Sequence, residues 1–330
     1  MTRQILGLDV GGANLKAATP DGRAVSVPFA LWKQPDKLPA ALAALVGQFP
    51  ETTELAVTMT GELCDCYETK REGVGAILDA VEFAAGGRPV RVWGAGGEFL
   101  SVAASRAEHM TVAAANWHAL ATFAGRFVPT GPALLIDIGG TTTDIIPLRD
   151  GRPCPRGLTD FDRLHTLELI YTGVRRTPAC AILGGSAAAE LFATTLDAHL
   201  WRCDIPEDAT DTDTADGRPA TRHHAHARLA RMLGGDSETV DWGTITQLAG
   251  SIARSQEDAV RHAVHAVVAR NGGECTFVTS GVGEFLTVNV LGTVEHGMWP
   301  RRSIRSDLGP AVSACAPAYA VGVLASERPS

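Results

Sequence analysis

Leu6–Ala18 (LGLDVGGANLKAA) and Leu134–Ile146 (LLIDIGGTTTDII) carry one element twice. Each is an apolar run ending in Asp, then Gly-Gly, then a second strand-like run. An apolar run entering Asp-x-Gly-Gly reads as a buried strand turning into a tight hairpin. The glycines let the backbone turn sharply, and successive N–H groups in such a turn can face an anion. Asp9 and Asp137 end the two strands, where a lone carboxylate has no packing role and is costly to bury. Beside a phosphate, a divalent cation between the two gives the carboxylate a purpose. A single copy fits an ordinary hairpin with a turn Asp. Two copies, the second followed by Thr141, Thr142, Thr143 and Asp144, point to paired phosphate-binding turns.

A second echo, GEFLSV at 97–102 and GEFLTV at 283–288, comes in the same order. Together the repeats predict a duplicated α/β chain of two related lobes with a cleft between them. The first lobe spans 1–130 and the second 131–330, divided at Pro129-Thr130-Gly131-Pro132. The extra length of the second half falls at about 155–240, read as irregular and polar. Strands are predicted at 4–10, 14–19, 24–29, 54–59, 90–93, 133–137, 141–148 and 275–279. Helices are predicted near 37–49, 71–85, 112–127, 241–271 and 310–325, the fourth from the apolar stripe Ile245, Leu248, Ile252, Val260 and Val264.

Composition narrows the function. A chain of 330 residues, 45% hydrophobic and 20% charged, can bury two cores. A net charge of −8 argues against a general nucleic-acid surface. No apolar run approaches the roughly 18–20 residues of a membrane span, and the first residues read as a strand, not a leader. Seven cysteines, an odd number, argue for a reducing compartment, so a cytoplasmic location is expected. A homodimer is compatible with this composition.

Candidate site residues cluster around four segments. The first turn offers Asp9, Gly11, Gly12, Asn14 and Lys16, with Asn14 and Lys16 on one side of a strand. The second offers Asp137, Gly139, Gly140, Thr141, Thr142, Thr143 and Asp144. Gly281 and Gly283, after the strand ending at Thr279, suit a nucleotide base or ribose. The loop Thr60–Arg71 crowds Glu62, Cys64, Asp65, Cys66, Lys70 and Arg71 behind a buried strand, as active-site loops do. Its two cysteines are one residue apart, which on an extended segment sends both thiols the same way but offers only two ligands, and with no second pair at zinc-like spacing structural zinc is not expected. Arg163, Arg175 and Arg176 are candidate anion clamps. His223, His224 and His226 read as a solvated helix start, and Asp211, Asp213 and Asp216 are out of register for a calcium loop.

The paired hairpins resemble those of the sugar kinase, heat-shock cognate and actin superfamily. Longer blocks are more specific: TMTGELCDCYETKREGV, WGAGGEFLSVAASRAEHMTVAAANWHALATFAGR, TDFDRLHTLELIYTGVRRTPACA and DTADGRPATRHHAHARLARMLGGD. With the hairpins they resemble the hydantoinase/oxoprolinase-like branch linked to tetrahydromethanopterin-dependent one-carbon transfer, over nearly the whole chain. The resemblance implies two actin-like (ribonuclease H-like) lobes with a central nucleotide or diphosphate cleft. It implies Mg²⁺ held by Asp9 and Asp137, and a transferase of methanofuran biosynthesis. Such an enzyme joins an aminomethylfuran (furfuryl) diphosphate to a tyramine- or tyrosine-type phenolic amine, forming an aryl ether and releasing diphosphate. Asp9, Lys16, Glu62 and Asp65 are then alternative bases for the phenol, with Asp137 at the metal. Two other readings stay open: an ATP-dependent kinase or amidohydrolase, and a non-catalytic actin-like nucleotide-binding protein.

Overall fold

A computed structural model describes residues 3–292 and 298–328. Ile5–Val10 (β1), Asn14–Ala18 (β2) and Ala24–Pro28 (β3) form an antiparallel meander. Glu54–Met59 (β4) and Val90–Trp93 (β5) extend it in parallel from β1, and Phe99–Leu100 (β6) closes the order β3-β2-β1-β4-β5-β6. The second sheet begins the same way. Pro132–Ile138 (β7) and Thr143–Arg149 (β8) form a hairpin, with Arg152–Pro153 (β9) and Leu169–Ile170 (β10) paired to β8. Thr276–Ser280 (β11) lies parallel to β7 and Arg301–Ser303 (β12) parallel to β11. The central order β10-β8-β7-β11-β12 therefore repeats β3-β2-β1-β4-β5. Both motif strands occupy equivalent central places, as duplication requires.

The helices that complete the layers are Leu38–Val46 (α1), Lys70–Ala85 (α2), Asn116–Ala124 (α3), Asp160–His165 (α4), Thr195–Trp201 (α5), Arg222–Met232 (α6), Trp242–Arg270 (α7) and Ala316–Glu327 (α8). Alternation along β1 sends Leu6, Leu8 and Val10 into a core with α1 and α2. Alternation along β7 sends Leu134, Ile136 and Ile138 into a core with α7. The opposite faces of both sheets share one core, in which Trp117 and Leu120 of α3 and Val321 and Leu324 of α8 meet Ile5, Leu135 and Ile146. Asp9 and Asp137 belong to these inward faces by parity. That is why duplicated strands bring two carboxylates to one place.

Several expectations need correction. The echo at 97–102 and 283–288 does not mark equivalent structure: Gly97 precedes the strand β6, whereas Gly283 precedes a 3-10 turn, Glu284–Leu286. The structural echo is Thr58–Glu62 with Ser280–Glu284, since Gly61 N–H donates to Val10 O (3.0 Å) and Gly283 N–H to Ile138 O (2.8 Å). The helix expected over 112–127 is broken at Ala114, which has φ +50°, leaving α3 shorter. The last helix, though it follows the second sheet in the chain, packs on the first sheet, where Gly7 lies against the Ala318 carbonyl. The insertion is not irregular. It folds around a core of Trp201, Leu229, Met232, Ile245 and Ile252 shared with α7, and buried Arg228 pairs with Asp197 and Asp216. No helix among the described residues is long and apolar enough to cross a membrane.

Candidate active site

A cleft of about 360 Å³ opens between the sheets and is lined by both glycine turns. Each turn is closed in the same way: Gly11 N–H donates to Asn14 O at 3.1 Å, and Gly139 N–H to Thr142 O at 2.9 Å. Registers around the two aspartates also correspond. Asp9 faces Thr58 on one side and Lys16 on the other; Asp137 faces Ser280 and Asp144. The duplication thus keeps the carboxylate and the hydroxyl but changes the third group from Lys to Asp.

That difference sets the electrostatics. Lys16 Nζ is 3.8 Å from Asp9 Oδ2. Burial pushes the Asp9 carboxyl above its ordinary range while Lys16 pulls it back. Burial, with the negative charge of Asp144 added, pushes Asp137 up to about 7. Asp144 is balanced by Arg163, a buried guanidinium stacked 4.2 Å from the Trp117 ring and 3.2 Å from Asp160 Oδ1. Arg163 is therefore a counter-charge for the second hairpin, not a free anion clamp. Asp9 Oδ1 and Asp137 Oδ1 are both buried and make no hydrogen bond. Two buried carboxylates facing one cleft with unused oxygens suit a divalent cation, which would offset both charges. No cluster of three or more His, Cys, Asp or Glu suited to a metal occurs among the described residues. A cation here would complete its shell from water and substrate oxygens.

Of the expected residues, Asp9, Gly11, Gly12, Asn14, Lys16, Cys64, Asp65, Asp137, Gly139, Gly140, Thr141, Thr142, Asp144, Arg175 and Arg176 line the cleft. Others do not. Thr143 is buried on β8 and donates its hydroxyl to Thr172 O at 2.7 Å. Gly281, at φ +93°, and Gly283 pack against Ile138, letting β11 approach the second turn, and neither lines the cleft. Lys70 and Arg71 open α2, away from the lining. Glu62 lies beneath the loop, 1% exposed, with Oε2 making no hydrogen bond, and burial pushes its carboxyl up to about 7. The segment after Gly61 is turned, not extended: Cys64 N–H donates to Gly61 O at 3.2 Å and Tyr67 N–H to Cys64 O at 3.0 Å. Cys64 packs beside Gly12, whose Cβ would lie 2.6 Å from Sγ, and Cys66 donates to Leu31 O at 3.8 Å. Burial holds the Cys64 thiol up at about 11, so it is a neutral wall of the cleft.

The second turn is braced from behind. Val174 N–H donates to Gly139 O, and Arg175 and Arg176 N–H both donate to Gly140 O (3.1, 2.9 and 3.0 Å). Arg175 also pairs with Asp211 of the insertion at 2.6 Å, and Asp216 with Arg228 and Arg231, so the Asp-rich run supplies counter-charges. His224 N–H donates to Thr221 at the start of α6, as a helix start requires, although His226 is buried against Val240 O. The reading of the sequence missed Trp32, Leu63 and Tyr171, which add an apolar wall; Leu63 and Tyr171 are each 55% exposed. Apolar side chains left open beside charged turns are a signal of ligand contact, visible only once the loops are folded.

A hydantoinase/oxoprolinase family model matches residues 54–300. The chain belongs to that family. Within it, the chain is similar to the (4-{4-[2-(γ-L-glutamylamino)ethyl]phenoxymethyl}furan-2-yl)methanamine synthase of Methanocaldococcus jannaschii, 32% identical over 340 residues and covering 99% of each chain. The synthase of the same name from Methanococcus vannielii is 29% identical over 200 residues, 58% of this chain and 89% of that one. Nucleotide-free acetone carboxylase has a similar fold, with a TM-score of 0.53 at 11% identity, over 97% of this chain and 70% of that one. The family member described here has the actin-like fold, two related α/β halves around a cleft.

Proposed function

We propose that the chain joins a furanylmethyl diphosphate to a phenol, forming an aryl ether and releasing diphosphate. The observation that carries this reading is similarity along 99% of both chains to a synthase named for such a phenoxymethyl-furan product. The cleft is suited to it, lined by both glycine turns and by the apolar side chains of Trp32, Leu63 and Tyr171. Asp9 and Asp137 would hold Mg²⁺, which when bound offsets charge on the leaving diphosphate. The turns 11–14 and 139–142 cradle phosphate oxygens, and Lys16 adds a positive charge beside them. Departing diphosphate leaves a ring-stabilised cation at the methylene, so the protein's contribution is positioning and electrostatics. A phenol with a pKa of about 10 needs a proton acceptor near it. Asp65 is favoured for that role because it lines the cleft, whereas Glu62 does not.

The test is turnover with products identified by mass. An aminomethyl-substituted furanylmethyl diphosphate, a tyramine- or tyrosine-type phenol and Mg²⁺ should give ether and diphosphate in equal amounts. ADP formed from ATP without ether would assign an ATP-dependent kinase or hydrolase instead. Nucleotide binding with neither product would assign a non-catalytic actin-like protein.

A further inference from the structure

Trp32 hangs from the first glycine turn and Arg176 from the second, and the two meet. Leu31 N–H donates to Gly12 O at 2.9 Å, which fixes the short 3-10 turn Leu31–Lys33 to the first hairpin. Arg176 N–H donates to Gly140 O at 3.0 Å, the matching glycine of the second. The Arg176 guanidinium carbon lies 4.1 Å from the centroid of the Trp32 ring. Its Nη1 is buried and makes no hydrogen bond, with Asp213 at 4.0 Å, too far to accept one. A cation therefore already lies on the indole face, inside the cleft that both turns line.

In a furanylmethyl diphosphate one methylene separates the ring from the phosphate oxygen. With the diphosphate between the turns, the ring and methylene fall within reach of a side chain suspended beside Gly12. When the C–O bond breaks, its electron pair leaves with the diphosphate, and positive charge spreads over the methylene and ring. The phenol oxygen then forms the new C–O bond, and its proton passes to Asp65.

We propose that Trp32 is a catalytic residue whose indole face carries this furanylmethyl cation, and that Arg176 turns from the indole to the diphosphate as substrate enters. Indole is the aromatic side chain that best holds a cation on its face. A diphosphate offers a guanidinium two charged acceptors, a better partner than a ring. Arg176 needs no backbone movement for the exchange, because its own amide is fixed at Gly140. The inference rests on the ether-synthase reading and names the group that stabilises the charge this reaction develops.

Trp32→Leu and Trp32→Phe in the full chain test it. In Trp32→Leu kcat should fall by about 100-fold or more, whereas Trp32→Phe, which keeps an aromatic face, should stay within about tenfold. A second readout needs no turnover: furfuryltrimethylammonium, a stable cation of similar shape, is titrated with and without inorganic diphosphate and Mg²⁺. Wild type and Trp32→Phe should bind it about tenfold or more tightly when diphosphate is present. Trp32→Leu should lose that gain while binding inorganic diphosphate itself within about threefold of wild type. Unchanged kcat in Trp32→Leu, or an unchanged cation gain, overturns the proposal. So does the lack of any gain in wild type, which keeps the test decisive even if the Leu variant fails to fold. A wild type that binds the cation in this way but makes no ether would support the indole site and overturn the ether-synthase reading alone.

Discussion

Asp9 and Asp137 sit where a carboxylate is costly to stability, and the proposed function gives that cost a purpose. Each is buried with one oxygen lacking a hydrogen bond, so Asp9→Asn or Asp137→Asn should leave the melting temperature equal or higher. Turnover at saturating Mg²⁺ should fall by about 100-fold or more, since the charge that would hold the ion is gone. Retention of wild-type kcat by both variants would place the metal elsewhere. Glu62 gives a pH-dependent counterpart. Burial raises its carboxyl from 4.5 to about 7. The folded chain holds that proton more tightly than the unfolded chain, so the stabilisation is fully present below about 4.5 and is lost as pH rises through about 7. Denaturant titrations should find Glu62→Gln close to wild type near pH 5. At about pH 8 and above it should be more stable, by on the order of 3 kcal/mol. A variant less stable than wild type at high pH would mean that the carboxylate has a cationic partner.

At the scale of elements, the segment 172–176 depends on α7. The Gln256 amide donates to Gly173 O at 2.7 Å and to Thr172 Oγ1 at 3.0 Å, and its oxygen accepts from His199 Nε2 at 2.8 Å. Gln256→Leu leaves these groups unpaired, which should cost about 1–3 kcal/mol. Because the segment braces Gly139 and Gly140, the KM for the diphosphate substrate should rise more than kcat falls. A variant that loses stability with an unaltered KM would make the network purely structural. Gly173→Ala should be worse, since a Cβ there would lie 2.5 Å from Gly140 C and Thr141 N. Gln256 was legible as an anomaly, a polar residue on the buried stripe between Ile252 and Val260. Its partners were not, because Thr172 and Gly173 are far away in sequence.

For the whole molecule, α3 and α8 form the layer that both sheets share, and α8 returns from the end of the chain to cover β1. Gly7 permits that return: a Cβ would run into the Ala318 carbonyl. Gly7→Ala should therefore lower the melting temperature by several degrees, as a loss of about 2 kcal/mol implies for a chain of this kind. Limited proteolysis should then release the C-terminal helix early. An unaltered cleavage pattern would show that the two halves hold together without it.

The local sequence by itself determined the two Asp-x-Gly-Gly hairpins, the buried strands feeding them, the long helix α7 and the parity that puts Asp9 opposite the Leu6–Leu8–Val10 face. These follow from periodicity and turn chemistry acting over a few residues. It also held the family resemblance, because long motif blocks survive as sequence. Only the tertiary structure decided which members of the loop 60–71 reach the cleft, since a turned backbone puts Cys64 and Asp65 in its lining and buries Glu62. Only it joined Trp32 to Arg176, paired Arg163 with Asp144 and laid the last helix on the first sheet. Those contacts depend on where separate elements come to rest, and packing between distant segments leaves no period in the chain to read.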